Sequence, residues 1–327
     1  MIARVSRRCL TFLLVAGTVA ALGASAQPAA PAKAPVTAFQ AALAARAPLL
    51  AVARAGTRLV AVGDWGVIVL SDDDGRSWRQ AKSVATRAML TSVTFVDAQR
   101  GYSVGHGGIV LETGDGGETW KRNHDAGADV VLLTIWFESA DHGIAAGAFG
   151  FAIATHDGGR TWKEFTLGEG DDRDRHLNAV FAVPGGPIFI AAEAGTVFRS
   201  SDGGSTWTTL RLPYDGSLWG GMALKDGSVL VYGMRGHVLR SPDQGKTWID
   251  VPTGTEQSWA GGLQGADGTI VLVGLGGAVA RSTDGGHAFR TTIRPERQTF
   301  SAVTSGQPGH LVVAGLTGIA TLSFAAP

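Results

Sequence analysis

THDGGRTW, residues 155–162, sets a histidine beside an aspartate and two glycines, a composition that suits either an active site or a tight turn. Five relatives decide between them: SDDDGRSW from Ser71, TGDGGETW from Thr113, SSDGGSTW from Ser200, SPDQGKTW from Ser241 and STDGGHAF from Ser282. The shared pattern is Ser/Thr, any residue, Asp, any residue, Gly, any residue, Thr/Ser, Trp, with Ala-Phe closing the last copy. Its aspartates fall at positions 73, 115, 157, 202, 243 and 284, in steps of 42, 42, 45, 41 and 41. A fixed period in that range marks a solenoid or a propeller. The aspartate accepts hydrogen bonds from backbone N–H groups, the glycine supplies positive φ, and the hydroxyls add side-chain to backbone bonds. The Trp opens the next strand and buries its ring between neighbouring units. Six copies of one feature are not six active sites. His156 stands where other copies carry Asp, Gly, Ser, Pro and Thr, so no fixed role attaches to it.

Upstream of each box an apolar run ends in Gly-x-x-Gly, at Gly63/Gly66, Gly105/Gly108, Gly147/Gly150, Gly233/Gly236, Gly274/Gly277 and Gly315/Gly318, with Ala192/Gly195 as a degenerate copy. That makes seven units. The second reads as LTSVTFV, GYSVG, IVLET and TWKRN, four short runs rich in β-branched residues and divided by glycine turns. Four strands per unit of about 42 residues predict an all-β, seven-bladed β-propeller, with Asp-box turns between the third and fourth strands. The seventh unit stops at Pro327, where its own box would begin. Residues 36 to about 43 are therefore expected to supply its fourth strand and close the ring, a short helix being the alternative for that segment.

The six boxes resemble the Asp-box, or BNR, repeat of sialidases, xyloglucanases and sortilin-type receptors. With VGDWG, VGHGG and YGMRG between the second and third strands, residues 45–327 resemble the photosystem II stability and assembly factor family. That family consists of seven-bladed propellers of chloroplasts and cyanobacteria, with relatives in bacteria that do not photosynthesise. The resemblance implies a non-catalytic assembly role and an arginine-rich binding surface, although no short motif carries its positions over residue by residue.

The N-terminus reads as an export signal over residues 1–26: Arg4, Arg7 and Arg8, an apolar run from Leu10 to Leu22, then Ala24-Ser25-Ala26. The apolar run is shorter than the roughly 20 residues a spanning helix needs, so no direct membrane insertion is expected. QPAAPAKAP, residues 27–35, reads as a Pro/Ala tether. Residues 36–327 form a single propeller, expected in the periplasm and monomeric. Cys9, the only cysteine, lies within the signal, which excludes disulfides and cysteine metal sites from the mature protein. Without the three signal arginines, 25 basic residues face 28 acidic ones, a balance unlike that of a nucleic-acid binder. The eight histidines are never closer than 14 positions, so no local zinc motif exists, and no metal or cofactor is expected.

Recognition is expected on the face opposite the boxes, where the second-to-third-strand turns and the inter-blade segments gather. Arg87, Arg175 and Arg297 precede innermost strands there, and Arg235 lies in a glycine turn. Their guanidiniums suit carboxylates or an acidic peptide. The bland alternative pairs them with Asp171, Asp172, Asp174 or Glu296 in solvated loops. Trp65, Phe149 and Tyr214 add aromatic surface of the kind that anchors protein partners. Trp219, matched to Trp259, is assigned to the core. The insertion GEGDDRDRH, residues 168–176, lacks calcium-loop spacing and reads as a solvated loop. Three functions follow: a binding scaffold docked on a membrane protein or envelope-complex subunit such as a transporter; a sialidase-like glycosidase; and a binder of small ligands or carbohydrate in the channel. The second needs a tyrosine nucleophile, for which only Tyr102, Tyr214 and Tyr232 exist.

Overall fold

The computed structural model describes residues 36–323; the export signal, the tether and the last four residues lie outside them. Blade one comprises β1 (Leu49–Ala55), β2 (Arg58–Gly63), β3 (Ile68–Ser71) and β4 (Arg79–Gln80). A linker strand, β5 (Ser83–Val84), precedes blade two, which is β6 (Leu90–Phe95), β7 (Gly101–Gly105), β8 (Ile109–Thr113) and β9 (Thr119–Asp125). Blade three is β10 (Leu132–Phe137), β11 (Gly143–Gly147), β12 (Ala152–Thr155) and β13 (Lys163–Glu164), and blade four β14 (Leu177–Ala182), β15 (Ile188–Ala192), β16 (Thr196–Ser200) and β17 (Thr208–Arg211). Blade five is β18 (Leu218–Ala223), β19 (Val229–Gly233), β20 (Val238–Ser241) and β21 (Ile249–Asp250), and blade six β22 (Trp259–Gln264), β23 (Ile270–Gly274), β24 (Ala278–Ser282) and β25 (Arg290–Ile293). Blade seven has three described strands, β26 (Phe300–Ser305), β27 (His310–Gly315) and β28 (Gly318–Ser323).

Burial explains the pattern of apolar runs. Second strands such as β7, β15, β19 and β23 are buried at every residue, because both sheet faces pack on neighbouring blades. Inner strands are only half covered. Each begins with one buried residue (Leu49, Leu90, Leu132, Leu177, Leu218, Trp259, Phe300) paired with the last residue of its second strand, and then slips register by one position. The bulged residues Thr91 and Asn178 reach the next blade, donating to Leu132 O (2.7 Å) and Leu218 O (2.8 Å).

This slip corrects the pairing of Trp219 with Trp259. Leu218 is the true counterpart of Trp259; Trp219 occupies the bulge, level with Ala260, and is half-buried. One residue of slip moves a side chain to the other face of a strand.

Two further expectations change. Residues 36–43 form no strand and do not complete blade seven. They lie on blade one's outer edge instead, where Ala38 N donates to Val84 O (2.9 Å), Gln40 Nε2 to Ala81 O (2.9 Å) and Gln80 Nε2 to Phe39 O (2.7 Å). The cause lies in the turn that follows. Backbone at Ala45 and Arg46 sits against Gly318 just as backbone at Thr86 sits against Gly66 and at Tyr214 against Gly195, so this stretch serves as the linker from blade seven to blade one. Closure is thus a packing contact, with β1 against both β6 and β26. In addition, β5 pairs in parallel with β9, giving blade two a fifth strand, because Lys82 N and Ala85 N find Glu118 O (2.8 Å) and Trp120 O (3.2 Å).

The boxes are joints between blades. In box three Thr155 Oγ1 donates to Asp157 Oδ1 (2.9 Å) and accepts from Gly159 N (2.8 Å), while Thr161 N and Oγ1 donate to Oδ1 (2.8 Å) and Oδ2 (2.6 Å). The other boxes repeat this, except that Ala288 offers its N–H alone in the sixth. The turn then presents its fourth-position carbonyl to the preceding blade: Arg58 Nη1 donates to Gly116 O (3.0 Å), Tyr102 Oη to Gly158 O (2.8 Å), Arg199 Nε to Gln244 O (2.8 Å) and Arg240 Nε to Gly285 O (2.9 Å). Trp120 is fully buried between blades one and two, with Nε1 on Gly117 O (2.9 Å). Trp162 is half-buried but also bridges, from the Phe137 ring of its own blade to Asn123 Oδ1 of blade two (2.8 Å).

Hydroxyl and then N–H donation by the residue four places on holds the carboxyls of Asp73, Asp157 and Asp202 down at about 2, against an ordinary 3.8. A depressed folded pKa contributes stability that is complete above the unfolded value and lost as pH falls through the folded one. Urea midpoints should therefore hold from neutrality to about pH 4 and fall steeply between pH 4 and 2. Trp120→Ala should cost about 3–5 kcal/mol through the cavity it leaves. Thr155→Val should cost about 1–3 kcal/mol by stranding the buried Gly159 N–H, both measured by denaturant unfolding.

Candidate functional site

The face opposite the boxes carries seven turns that join second to third strands, and their backbone is over-determined. The first glycine is required because a Cβ at Gly63, Gly105, Gly147, Gly233, Gly274 or Gly315 would collide with the carbonyl just before that blade's inner strand. The same carbonyl accepts the next N–H, as in Asp64 N to Pro48 O (3.0 Å) and Met234 N to Ser217 O (3.0 Å). Blade four departs from this. Ala192 carries the Cβ the others exclude, and here the residue before the inner strand is a donor, His176 N giving its hydrogen to the Glu193 carboxylate (3.0 Å).

In six of the seven turns the third position is left-handed: Trp65 at φ +54°, Phe149 at +53°, Ala194 at +50° and Arg235 at +54°, with glycine at Gly107 and Gly276; blade seven, where Gly315 pairs directly with Gly318, is the exception. Bulky residues rarely tolerate that conformation, and sites that do are concentrated where side chains serve recognition. Trp65 and Phe149 are 64% and 74% exposed, and Arg235 is exposed.

The arginines and aromatics picked from the sequence do not form one cluster; most meet in pairs. Beside Trp65, the exposed Arg87 donates Nε to Thr37 O (2.8 Å) and carries the Phe39 ring 3.7 Å from its guanidinium carbon. Beside Phe149, whose ring meets the His176 edge at 4.9 Å, the Arg175 carbonyl accepts from Gly150 N (2.9 Å). Tyr214 Oη donates to Met234 O (2.9 Å), next to Arg235, and its ring lies 4.2 Å from His237. Arg297 stands apart, exposed at φ +52° on the linker from blade six to blade seven.

Arg175 is committed within the protein. Its Nε donates to the buried Asp172 (2.8 Å), which Arg211 of blade four also grips. Burial works against the Asp172 carboxylate, and Arg211 and Arg175 overcome it, so its pKa lies below the ordinary value. The insertion, expected as a solvated loop, therefore includes a short 3-10 turn, Gly170–Asp174, anchored by two arginines on the buried Asp172. Blade periodicity could not expose this, because Asp172 and Arg211 are distant in sequence. The same is true of His142 and His156, which stack at 4.7 Å on the box face.

The tyrosines bear on the glycosidase reading. Tyr102 and Tyr214 donate to the backbone carbonyls of Gly158 and Met234, and burial raises the pKa of both and of the enclosed Tyr232. An activated nucleophile needs the opposite shift. Among the described residues no three His, Cys, Asp or Glu side chains come together as a metal site, and no helix is long and apolar enough to cross a membrane.

A family model described as photosynthesis system II assembly factor YCF48 matches residues 76–131 and 122–250. The chain belongs to this YCF48 family. Solved YCF48 structures share its architecture. One described as YCF48 bound to D1 peptide superposes with TM-score 0.70 at 18% identity, over 86% of this chain and 94% of that one. YCF48 from Cyanidioschyzon merolae gives 0.66 at 15% identity, over 85% and 95%. A streptogramin B lyase gives 0.61 at 14%, over 73% and 84%, a likeness of fold alone. No curated protein matches the sequence. The matched residues contain the turns of blades two to five and the boxes from Thr113, Thr155, Ser200 and Ser241.

If the third turn position is held left-handed for display, glycine should fit it better than the residue present. Trp65→Gly and Phe149→Gly should leave the unfolding midpoint unchanged or raise stability by up to about 1 kcal/mol. A loss above 1 kcal/mol in either variant would assign the ring a structural role instead.

Proposed function

We propose that this YCF48-family chain is a non-catalytic assembly scaffold, exported to the periplasm and working as a monomer, that captures an exposed segment of a membrane protein on the face opposite its Asp boxes. The observation that carries this reading is the set of exposed side chains Trp65, Phe149 and Arg235, held at left-handed φ on a rigid ring of turns. Rigid display lowers the ordering cost of binding. Exposed aromatics near guanidiniums suit a segment that mixes apolar side chains with carboxylates.

The related structure described as YCF48 bound to D1 peptide supports a peptide as ligand. In a photosynthetic host the segment belongs to photosystem II; elsewhere it belongs to a transporter or another envelope complex. Arg87, Arg235 and Arg297 are assigned to carboxylates, and Trp65, Phe149 and Tyr214 to apolar contact. Arg175 holds the insertion in place and acts through it.

Crosslinking in native envelopes followed by mass spectrometry tests the proposal. One dominant membrane-protein neighbour is expected, with its yield falling at least about tenfold in the double variant Arg87→Glu, Arg235→Glu. Undiminished capture by that variant, or no neighbour at all, would refute it.

A further inference from the structure

Seven large apolar side chains are exposed among the described residues, and five of them gather at one place. Val36, Phe39 and Leu43 lie on the N-terminal segment, Trp65 on the turn of blade one and Leu316 on the turn of blade seven. The segment links the two turns. A Cβ on Gly66 would touch Ala38, and one on Gly318 would collide with backbone at Ala45 and Arg46. Exposed Arg46 ends this segment, and exposed Arg87, on the linker from blade one to blade two, touches it at Thr37 and Phe39. Of the acids flanking it in sequence, Glu296 pairs with Arg294 (3.4 Å) and Asp64 accepts from Trp65 N (2.8 Å).

The opposite side of the same face is different. Exposed Asp129, Asp171, Asp174 and Asp215 lie between blades two and five among exposed Arg173, Arg211 and Arg235, and Asp125 at the end of β9 pairs with Arg122 (3.1 Å). Blades two to five thus mix both charges, with Phe149 as their one exposed large apolar side chain on this face among the described residues, whereas the apolar side chains concentrate at blades seven and one.

We infer that the blade seven to blade one sector adsorbs to an anionic lipid bilayer, tilting the ring so that this sector meets the surface first. Trp65 and Leu316 are tips of turns, so they project from the face. Projecting apolar tips bury their area in a medium that flows around them, and interfacial Trp, Phe and Leu with flanking arginines is the composition that partitions into the headgroup region. Arg46 and Arg87 keep donors for lipid phosphate, with Arg87 steadied by Phe39. This contact shares Trp65 and Arg87 with the protein contact proposed above, adds Val36, Phe39, Leu43, Arg46 and Leu316, and would hold the scaffold at the surface where such a partner lies.

The test uses the mature chain, residues 27–327, which has no cysteine, with an environment-sensitive fluorophore placed through Trp65→Cys, Leu316→Cys or Ile249→Cys, the last on the outer strand β21. Vesicles of phosphatidylcholine with phosphatidylglycerol should shift emission to the blue at positions 65 and 316 and leave 249 unchanged. Arg46→Glu with Arg87→Glu should weaken vesicle binding at least about tenfold, and high salt should weaken it as well. No shift at 65 and 316, or an equal shift at 249, would overturn the inference. So would a response of these probes to a membrane-protein peptide but not to protein-free vesicles, an outcome that leaves the scaffold reading intact.

Discussion

The carboxylate at the centre of each Asp box sets the geometry on which the ring depends. It is saturated from within its own turn, by a hydroxyl two residues before it and by the N–H and, in five copies, the hydroxyl four residues after. The turn can then hold no other shape, and its free carbonyl and its glycine must face the neighbouring blade. There, arginine and tyrosine side chains of the preceding blade take the carbonyl, and aliphatic side chains such as Leu70 and Val60 pack where the second glycine of box two leaves room. A local polar turn thereby becomes a long-range constraint.

Much of this was legible in the sequence because repetition is visible there. The strand runs of blade two agree closely with β6, β7, β8 and β9. The misreadings fall where a residue acts outside the repeat. An unfinished blade invites a strand at residues 36–43, yet the Ala44–Arg46 turn serves as a blade linker and directs the preceding residues onto blade one. Trp219 was matched to Trp259 by local composition, and a single bulge separates them. Neither Asp172 nor its partner Arg211 belongs to any repeated motif, so their pairing had no sequence signal.

The candidate site was legible as a face and not as a constellation. Glycine turns announce where the backbone is tight, but they do not reveal that the residue between them is held left-handed when it is Trp, Phe or Arg. That information resides in the carbonyls that press on the flanking glycines. Positions that maintain the ring recur from blade to blade, whereas positions open to recognition differ, as Trp65, Gly107, Phe149, Ala194, Arg235 and Gly276 do.

Blade four shows how such a ring acquires novelty. Where Ala192 replaces the usual glycine, a glutamate side chain engages the N–H of the residue before the inner strand, and the adjoining linker is the one that has lengthened. A side-chain tether has slack that a backbone clasp lacks. Blade four is thus a permissive seam among the described residues, a natural place to graft foreign loops while the rest of the wheel keeps its dimensions.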